Sequence, residues 1–318
     1  MHTPKLRTLN IIGAGNLGRT LARLWSERGV FRVGNICNRT LASATDATAF
    51  IGAGAPVADI QSMAPADFWL IAVADDHIEA VAAELAIRLQ SANAEAQSTG
   101  ATPVVFHCSG ALSSSALTAC APAKIASAHP VHSFADPERS VNSLAGTFVA
   151  LEGDALAREY LEGMFAQLDC TSITLSPEQK VLYHTGSVIA CNYLTVLMDL
   201  SLQTFAAAGI DENTARKLLE PIVLQTAKNN FALGPENALT GPLARGDLQT
   251  VTRQLGALTE VAKTQPQAAP PPLADIYRLL GKAALPMATR AGLDSAVAHN
   301  FQTLFDNPPQ VNPSQAKL

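Results

Sequence analysis

Residues 9–18 read Leu9-Asn10-Ile11-Ile12-Gly13-Ala14-Gly15-Asn16-Leu17-Gly18, and this stretch decides the fold. A short apolar run enters a G-x-G-x-x-G turn. Arg19–Arg28 then continues at helical periodicity until Gly29 stops it. A strand turning on glycine into a helix aims backbone N–H groups at a pyrophosphate. Gly13 permits the tight turn, and Gly15 lets the backbone approach the phosphates. Gly18 lets the helix pack closely on the sheet, with Ala14, Asn16 and Leu17 completing the loop. Glycines often serve only a turn, but the strand before and the helix after this motif point to a bound dinucleotide.

A second nucleotide signal closes the next strand, Val33–Cys37, in Asn38-Arg39-Thr40. An NAD-preferring site usually carries Asp or Glu here to bind the ribose 2′-hydroxyl. A guanidinium and a hydroxyl suit a 2′-phosphate instead, and no carboxylate repels it. NADP is therefore the expected cofactor, although Arg39 also fits a solvated surface charge. Val73 and Ala74, at the end of a third strand, are expected to line the cofactor with Ser109 and Gly110 after a fourth.

The 318 residues are enough for two domains and a substantial core. A net charge of −5 and a pI near 5.8 argue against a nucleic-acid surface. No apolar stretch reaches the roughly 18–20 residues that span a bilayer, so no membrane partner is expected. The N-terminus leads directly into the first strand, which leaves no expectation of a signal peptide. Cys37, Cys108, Cys120, Cys170 and Cys191 lack C-x-x-C spacing. They read as reduced, mostly buried thiols of a cytoplasmic protein, with no metal site expected.

The first half alternates short buried strands (Leu9–Ile12, Val33–Cys37, Phe68–Val73, Pro103–His107, Ile125–Ala128) with helical stretches such as Ile78–Gln90. That order predicts an α/β fold, a doubly wound Rossmann-type parallel sheet. Gly146–Leu151 and Cys170–Leu175, flanking a helix at Ala155–Leu168, extend the same sheet. After Ser176-Pro177 the pattern becomes helical: a long segment to about Ala208, then Glu212–Ala232, Asp247–Thr264, Ala274–Ala284 and Pro286–Ala291. Gln265–Leu273 reads as a loop. The expected domains are residues 1–175, which bind dinucleotide, an all-α substrate and dimerisation domain at 176–305, and a mobile tail at 306–318.

Ligands of such sheets bind outside the strands' carboxyl ends. Asp75 and Asp76 follow one strand there and read foremost as helix caps. Ser109 and Gly110 follow His107, where a hydrogen bond to cofactor or substrate and a simple turn are both open readings. His129 and His132 flank Pro130 and suit acid–base work better than metal binding, since no third ligand is evident. On the helix after Ser176, Lys180 and His184 share a face, and Asn192 lies about 80° further round. Arg245, in Leu239–Asp247, could clamp an anionic group or pair with Asp247, which caps the following helix.

Together, Gly13–Gly18, His107–Leu112, His129–Asp136, Tyr183-His184 with Asn192-Tyr193, and Leu239–Asp247 resemble a bacterial family of NADP oxidoreductases that joins a Rossmann-like domain to a C-terminal DUF2520 domain. The resemblance covers most of residues 9–300. Ala74 is a departure, since many relatives place Pro ahead of the Asp-Asp pair. The family is similar to the 6-phosphogluconate dehydrogenase-like group, with local likeness to prephenate dehydrogenases and ketopantoate reductases. This implies a helical domain that supplies substrate-binding residues and commonly a homodimer interface.

The leading expectation is an NADP-dependent oxidoreductase that moves a hydride to or from a small, anionic carbonyl, imine or hydroxy substrate in an interdomain cleft. His184 is the first choice of acid–base catalyst and His129 the second. Asn192 orients the substrate oxygen, Ser109 supports it, and Lys180, Arg245 and His132 contact substrate. The alternative is an NADP(H)-binding sensor without hydride transfer, which predicts a large exposed apolar patch.

Overall fold

The computed structural model describes residues 6–95, 102–264 and 273–307, so the Gln265–Leu273 loop short of Leu273 and the expected mobile tail beyond Asn307 lie outside the described residues. The chain divides into two compact units, Met1–Ala190 and Cys191–Leu318.

The first unit runs β1 (Thr8–Ile12), α1 (Asn16–Glu27), β2 (Arg32–Cys37), α2 (Leu41–Ile51), β3 (Ala55–Val57), β4 (Phe68–Ile71), α3 (Ile78–Glu95), β5 (Val104–His107), β6 (Lys124–Pro130), α4 (Pro137–Ser143), β7 (Phe148–Gly153), α5 (Ala155–Ala166), β8 (Thr171–Thr174) and α6 (Lys180–Ser187). One sheet of eight strands takes the order β3-β2-β1-β4-β5-β6-β7-β8. Its first six strands are parallel and wind outward from β1 in both directions, the doubly wound order expected. The topological switch lies between β1 and β4, where the glycine turn leaves the sheet.

Strands β1, β4 and β5 are buried along their whole length, which is why they read as unbroken apolar runs rather than alternating ones. On one face Trp25 meets Phe31, Phe106 and Phe165 edge-on, with centroids 5.4, 6.2 and 5.2 Å away. On the other face Trp69, Ile71, Leu85, Val105 and Leu117 form a second layer.

The extension of the sheet is present, but β7 runs antiparallel to β6, and β8 is parallel to β7. β3 and α2 went unread in the sequence. β3 spans three residues and carries Pro56, a pattern that suits only an edge strand. The unit boundary falls after Ala190 rather than at 176. The cause is local: Lys180 and Tyr183 of α6 are hydrogen-bonded to β6, which ties that helix to the sheet.

A π-helical segment, Val188–Asn192, follows α6. The second unit contains α7 (Tyr193–Ala207), α8 (Glu212–Leu233), α9 (Pro235–Ala238), α10 (Leu248–Thr264), α11 (Leu273–Arg290) and α12 (Ser295–Asp306). Asp211 caps α8 by accepting from Thr214 N at 3.1 Å. Its core gathers Val251, Leu255, Leu285, Phe301 and Phe305. The two helices expected around Pro286 are one, because α11 runs through that proline as α8 runs through Pro221. The helical run Pro177–Ala207 contains a stretch long and apolar enough to cross a membrane by length and composition alone. Residue-by-residue reading missed this because Lys180, His184, Asn192 and Asp199 interrupt the apolar positions.

Candidate active site

The glycine turn is built by close contact. Gly13 has φ +89°, and a Cβ there would lie 2.7 Å from Val73 Cγ1 and 2.8 Å from the Ala72 carbonyl. A Cβ on Gly18 would lie 2.7 Å from Gly13 O, so that glycine does set how closely α1 packs. Gly15 differs: nothing lies within 4 Å of a Cβ built there. No side chain caps α1, so its first N–H groups face that open space with the positive end of the helix dipole.

Asn38 is spent inside the protein. Its Oδ1 accepts from Ala14 N at 2.6 Å, and its Nδ2 donates to Ser43 Oγ at 3.0 Å, bracing the glycine loop against α2. Thr40 caps α2 through Ser43 N at 3.2 Å. Arg39 is exposed and has no ion pair among the described residues. The Arg39 guanidinium and the Thr40 hydroxyl proton, which the cap does not use, are the groups left for a 2′-phosphate. Asn16 Nδ2 donates to the Phe134 and Ala135 carbonyls at 2.9 and 3.1 Å, tying the loop to the segment after β6. An open glycine cradle, an uncapped helix start and an unpaired guanidinium fit NADP.

Beyond the cradle, sheet register places His107, Ser127 and Glu152 opposite one another on β5, β6 and β7. Lys180 from α6 covers this row, its Nζ donating to Ser127 Oγ at 2.7 Å and to Ser109 O at 3.1 Å. Glu152 accepts from Ser114 N at 2.6 Å and from Ser114 Oγ at 2.8 Å. His107 Nδ1 accepts from Ser109 N at 3.1 Å, so its Nε2 must carry the proton that goes to Ser113 O at 3.1 Å. Burial lowers the His107 pKa and keeps the ring neutral.

His129 stands two residues beyond Ser127, on the same face of β6. Its Nδ1 lies 2.9 Å from the Tyr183 hydroxyl. The His129 and His184 rings meet edge-on, with centroids 5.4 Å apart. Both pack on Gly110: a Cβ there would lie 2.9 Å from His129 Nε2, 2.9 Å from His184 Cγ, and closer still to His184 Nδ1. That Nδ1 is buried and has no hydrogen-bond partner among the described residues. Burial, reinforced by His184 and Lys180, pushes the His129 pKa down to about 4. Burial pushes Tyr183 up to about 12. A protonated phenol beside a neutral imidazole donates to Nδ1, which leaves the His129 proton on Nε2, the nitrogen that faces Gly110.

The structure thus brings together His129, His184, Gly110, Ser109 and Lys180, with two revisions of role. The Ser109 hydroxyl is fully used: it donates to Asp75 Oδ2 at 2.7 Å and accepts from Ala111 N and Leu112 N at 3.2 and 2.9 Å. It shapes the loop and has no valence left for substrate or cofactor. Asp75 is correspondingly its partner rather than a helix cap, the N-cap being Ala74. Lys180 is fully buried, so it is neither a solvated charge nor a direct substrate contact.

His132 lies apart from the pair, on the loop after β6, 3.3 Å from Ser143 Oγ and edge-on to Phe134. Asn192 and Arg245 belong to the second unit. The π segment interrupts the 3.6-residue count between His184 and Asn192, so the sequence-based angle between them does not hold. Arg245 is exposed on the Gly241–Asp247 turn and has no ion pair among the described residues, though its charge acts on Asp247, which caps α10 through Thr250 N at 3.0 Å. Ser127 and Glu152 were not singled out from sequence, and Tyr183 was read only as part of the Tyr183-His184 motif, without a role of its own. A carboxylate ending the apolar run Phe148–Leu151 was the one available signal. Among the described residues no group of three His, Cys, Asp or Glu is placed to hold a metal.

Residues 8–95 match the family described as NADP oxidoreductase, coenzyme F420-dependent, and residues 147–284 match the domain of unknown function DUF2520. No curated protein matches the sequence. Among solved structures the chain is similar to protein TM1727 from Thermotoga maritima (25% identity, TM-score 0.64, covering 89% of this chain and 98% of that one). It is also similar to protein BF3122 from Bacteroides fragilis (18%, 0.69, 87% and 97%). A third similar fold is a pyrroline-5-carboxylate reductase from Coxiella burnetii (17%, 0.52, 94% and 99%).

Proposed function

We propose, on the premise that this chain belongs to the NADP oxidoreductases that join a Rossmann-like domain to DUF2520, that it reduces a small carbonyl or imine, or oxidises the matching alcohol or amine, beside Gly110. The observation that carries this reading is the His129–His184 pair set edge-on over Gly110, with Tyr183 fixing the tautomer of His129. NADPH, when bound, supplies the hydride. Gly13–Gly18 and Arg39 would hold it.

In this reading the two imidazoles divide the work. His129 stays neutral at physiological pH and presents Nε2–H as a hydrogen-bond donor to the substrate oxygen or nitrogen. His184 supplies or removes the proton. Within the second unit, Arg245, with no ion pair among the described residues, is the proposed group for an anionic ligand, and Asn192 is the proposed orienting amide. The test is NADPH oxidation across a panel of small keto acids, neutral ketones and cyclic imines. Saturable turnover with an anionic member supports the reading. Tight NADPH binding with no turnover on any member favours the sensor instead.

We also propose a homodimer formed through the helical unit. Tyr193, Leu194 and Val196 of α7 and Leu218, Ile222, Leu224 and Phe231 of α8 are exposed, Phe231 to 94%. So much apolar surface on two helices of one unit suits a protein partner. The sensor reading expects such a patch too, so turnover rather than this surface separates the two. A cytoplasmic location goes with this reading, with Cys37, Cys108, Cys120 and Cys170 buried and all five cysteines unpaired.

A further inference from the structure

A lysine with no solvent exposure is rare and needs a physical reason. Both Lys180 acceptors, Ser127 Oγ and Ser109 O, are uncharged. Of the acidic groups acting on the ammonium, Glu152 and Asp75 are engaged elsewhere, by Ser114 and by the Ser109 hydroxyl, and burial pushes the Cys108 thiol up to about 12, which keeps it neutral. Burying a cation on neutral acceptors is costly, and a methionine would fill the same volume without that cost.

The position of the charge suggests what it gains. Ser109 O accepts from Lys180 and also from Ser127 Oγ at 3.1 Å, so this carbonyl is held from two sides. Peptide planarity then turns the Gly110 N–H the opposite way, away from the lysine. That N–H donates to no described residue. Gly110 is also the surface on which both imidazoles rest.

We infer that Lys180 is a positioning residue for the histidine pair: its ammonium, clamped on Ser109 O and Ser127 Oγ, fixes the Ser109–Gly110 peptide as the floor that sets His129 and His184. The inference rests on the acid–base reading of that pair. A second consequence is electrostatic. Lys180 and His184 disfavour protonation of His129, whereas Asp75 favours it, and Tyr183 contributes a neutral hydrogen bond.

The test uses the full chain labelled with ¹⁵N-histidine, comparing wild type with Lys180→Met and Lys180→Gln. In wild type the His129 resonance stays in the neutral Nε2–H form down to about pH 4. Both variants remove the positive neighbour, so the His129 midpoint rises by about 0.5–1 pH. Amide exchange at Ala111 and Leu112 accelerates at least about tenfold in Lys180→Met, which cannot hold the carbonyl, and less in Lys180→Gln, which can donate to it. An unchanged midpoint in both variants, or unchanged exchange in a folded Lys180→Met, overturns the inference. If Lys180→Met does not fold, Lys180→Gln decides by its midpoint. Wild-type His129 that titrates near 6.5 would instead overturn the neutral role given to His129, whatever the variants do.

Discussion

Gly110→Ala isolates the packing at the centre of the site. Gly110 is not in the left-handed region, so its backbone accepts alanine and the cost is steric. The new methyl would lie 2.9 Å from His129 Nε2 and from His184 Cγ, against roughly 3.4–4 Å for ordinary contact. A sheet holds one ring and α6 the other, so neither can simply swing into solvent. Overpacking of this kind costs about 1–3 kcal/mol. At about 2–4 °C per kcal/mol, the melting temperature falls by about 2–12 °C. NADPH affinity, measured by fluorescence titration, should hold, because the cradle at Gly13–Gly18 is built from other contacts. Turnover should fall at least about tenfold as the rings part. Gly15→Ala is the converse control: nothing surrounds its Cβ, so the protein without cofactor should melt as wild type while NADPH binding weakens. A Gly110→Ala protein with wild-type melting and turnover would refute the packing described.

Arg39→Ala should weaken NADPH by about 1–2 kcal/mol, roughly five- to thirtyfold, and leave NADH nearly unaffected, as titration with both nucleotides would show. Stability should decline from about pH 6.5 towards pH 4. Over that window the unfolded chain protonates its histidines, while His129, lowered to about 4, and His107, also lowered, resist; chemical denaturation against pH should show the slope, reduced in His129→Gln. Tyr183→Phe removes the donor to His129 Nδ1, and ¹⁵N-histidine spectra should show a mixture of neutral tautomers. Light scattering should give twice the chain mass, and Ile222→Glu with Phe231→Glu should return the monomer.

Much of the fold was legible because its signals are local. The β1 turn carries steric demands that only glycine meets at Gly13 and Gly18, and buried parallel strands leave apolar runs. Residue roles at the site were less legible, because hydrogen-bond saturation does not show in sequence. Ser109 and Asn38 carry the right functional groups for ligand contact, but both are committed within the protein, and Thr40 spends its acceptor side on a helix cap. The antiparallel turn into β7 was also hidden, and with it the alignment of Glu152 with Ser127 and His107. Lys180 and His184 were correctly placed on one helix face. Only the sheet beneath that face could reveal that the lysine points into the protein interior.

The acid–base role of the pair is tested most directly by measuring NADPH oxidation and NADPH affinity together in His184→Ala and His129→Ala. The expected result is a loss of turnover of at least about 100-fold in His184→Ala, and a smaller loss in His129→Ala, with NADPH affinity within about twofold of wild type. Turnover preserved in His184→Ala would contradict the assignment. Collapse of NADPH binding in both variants would contradict it too, because the pair would then serve the cradle rather than the reaction.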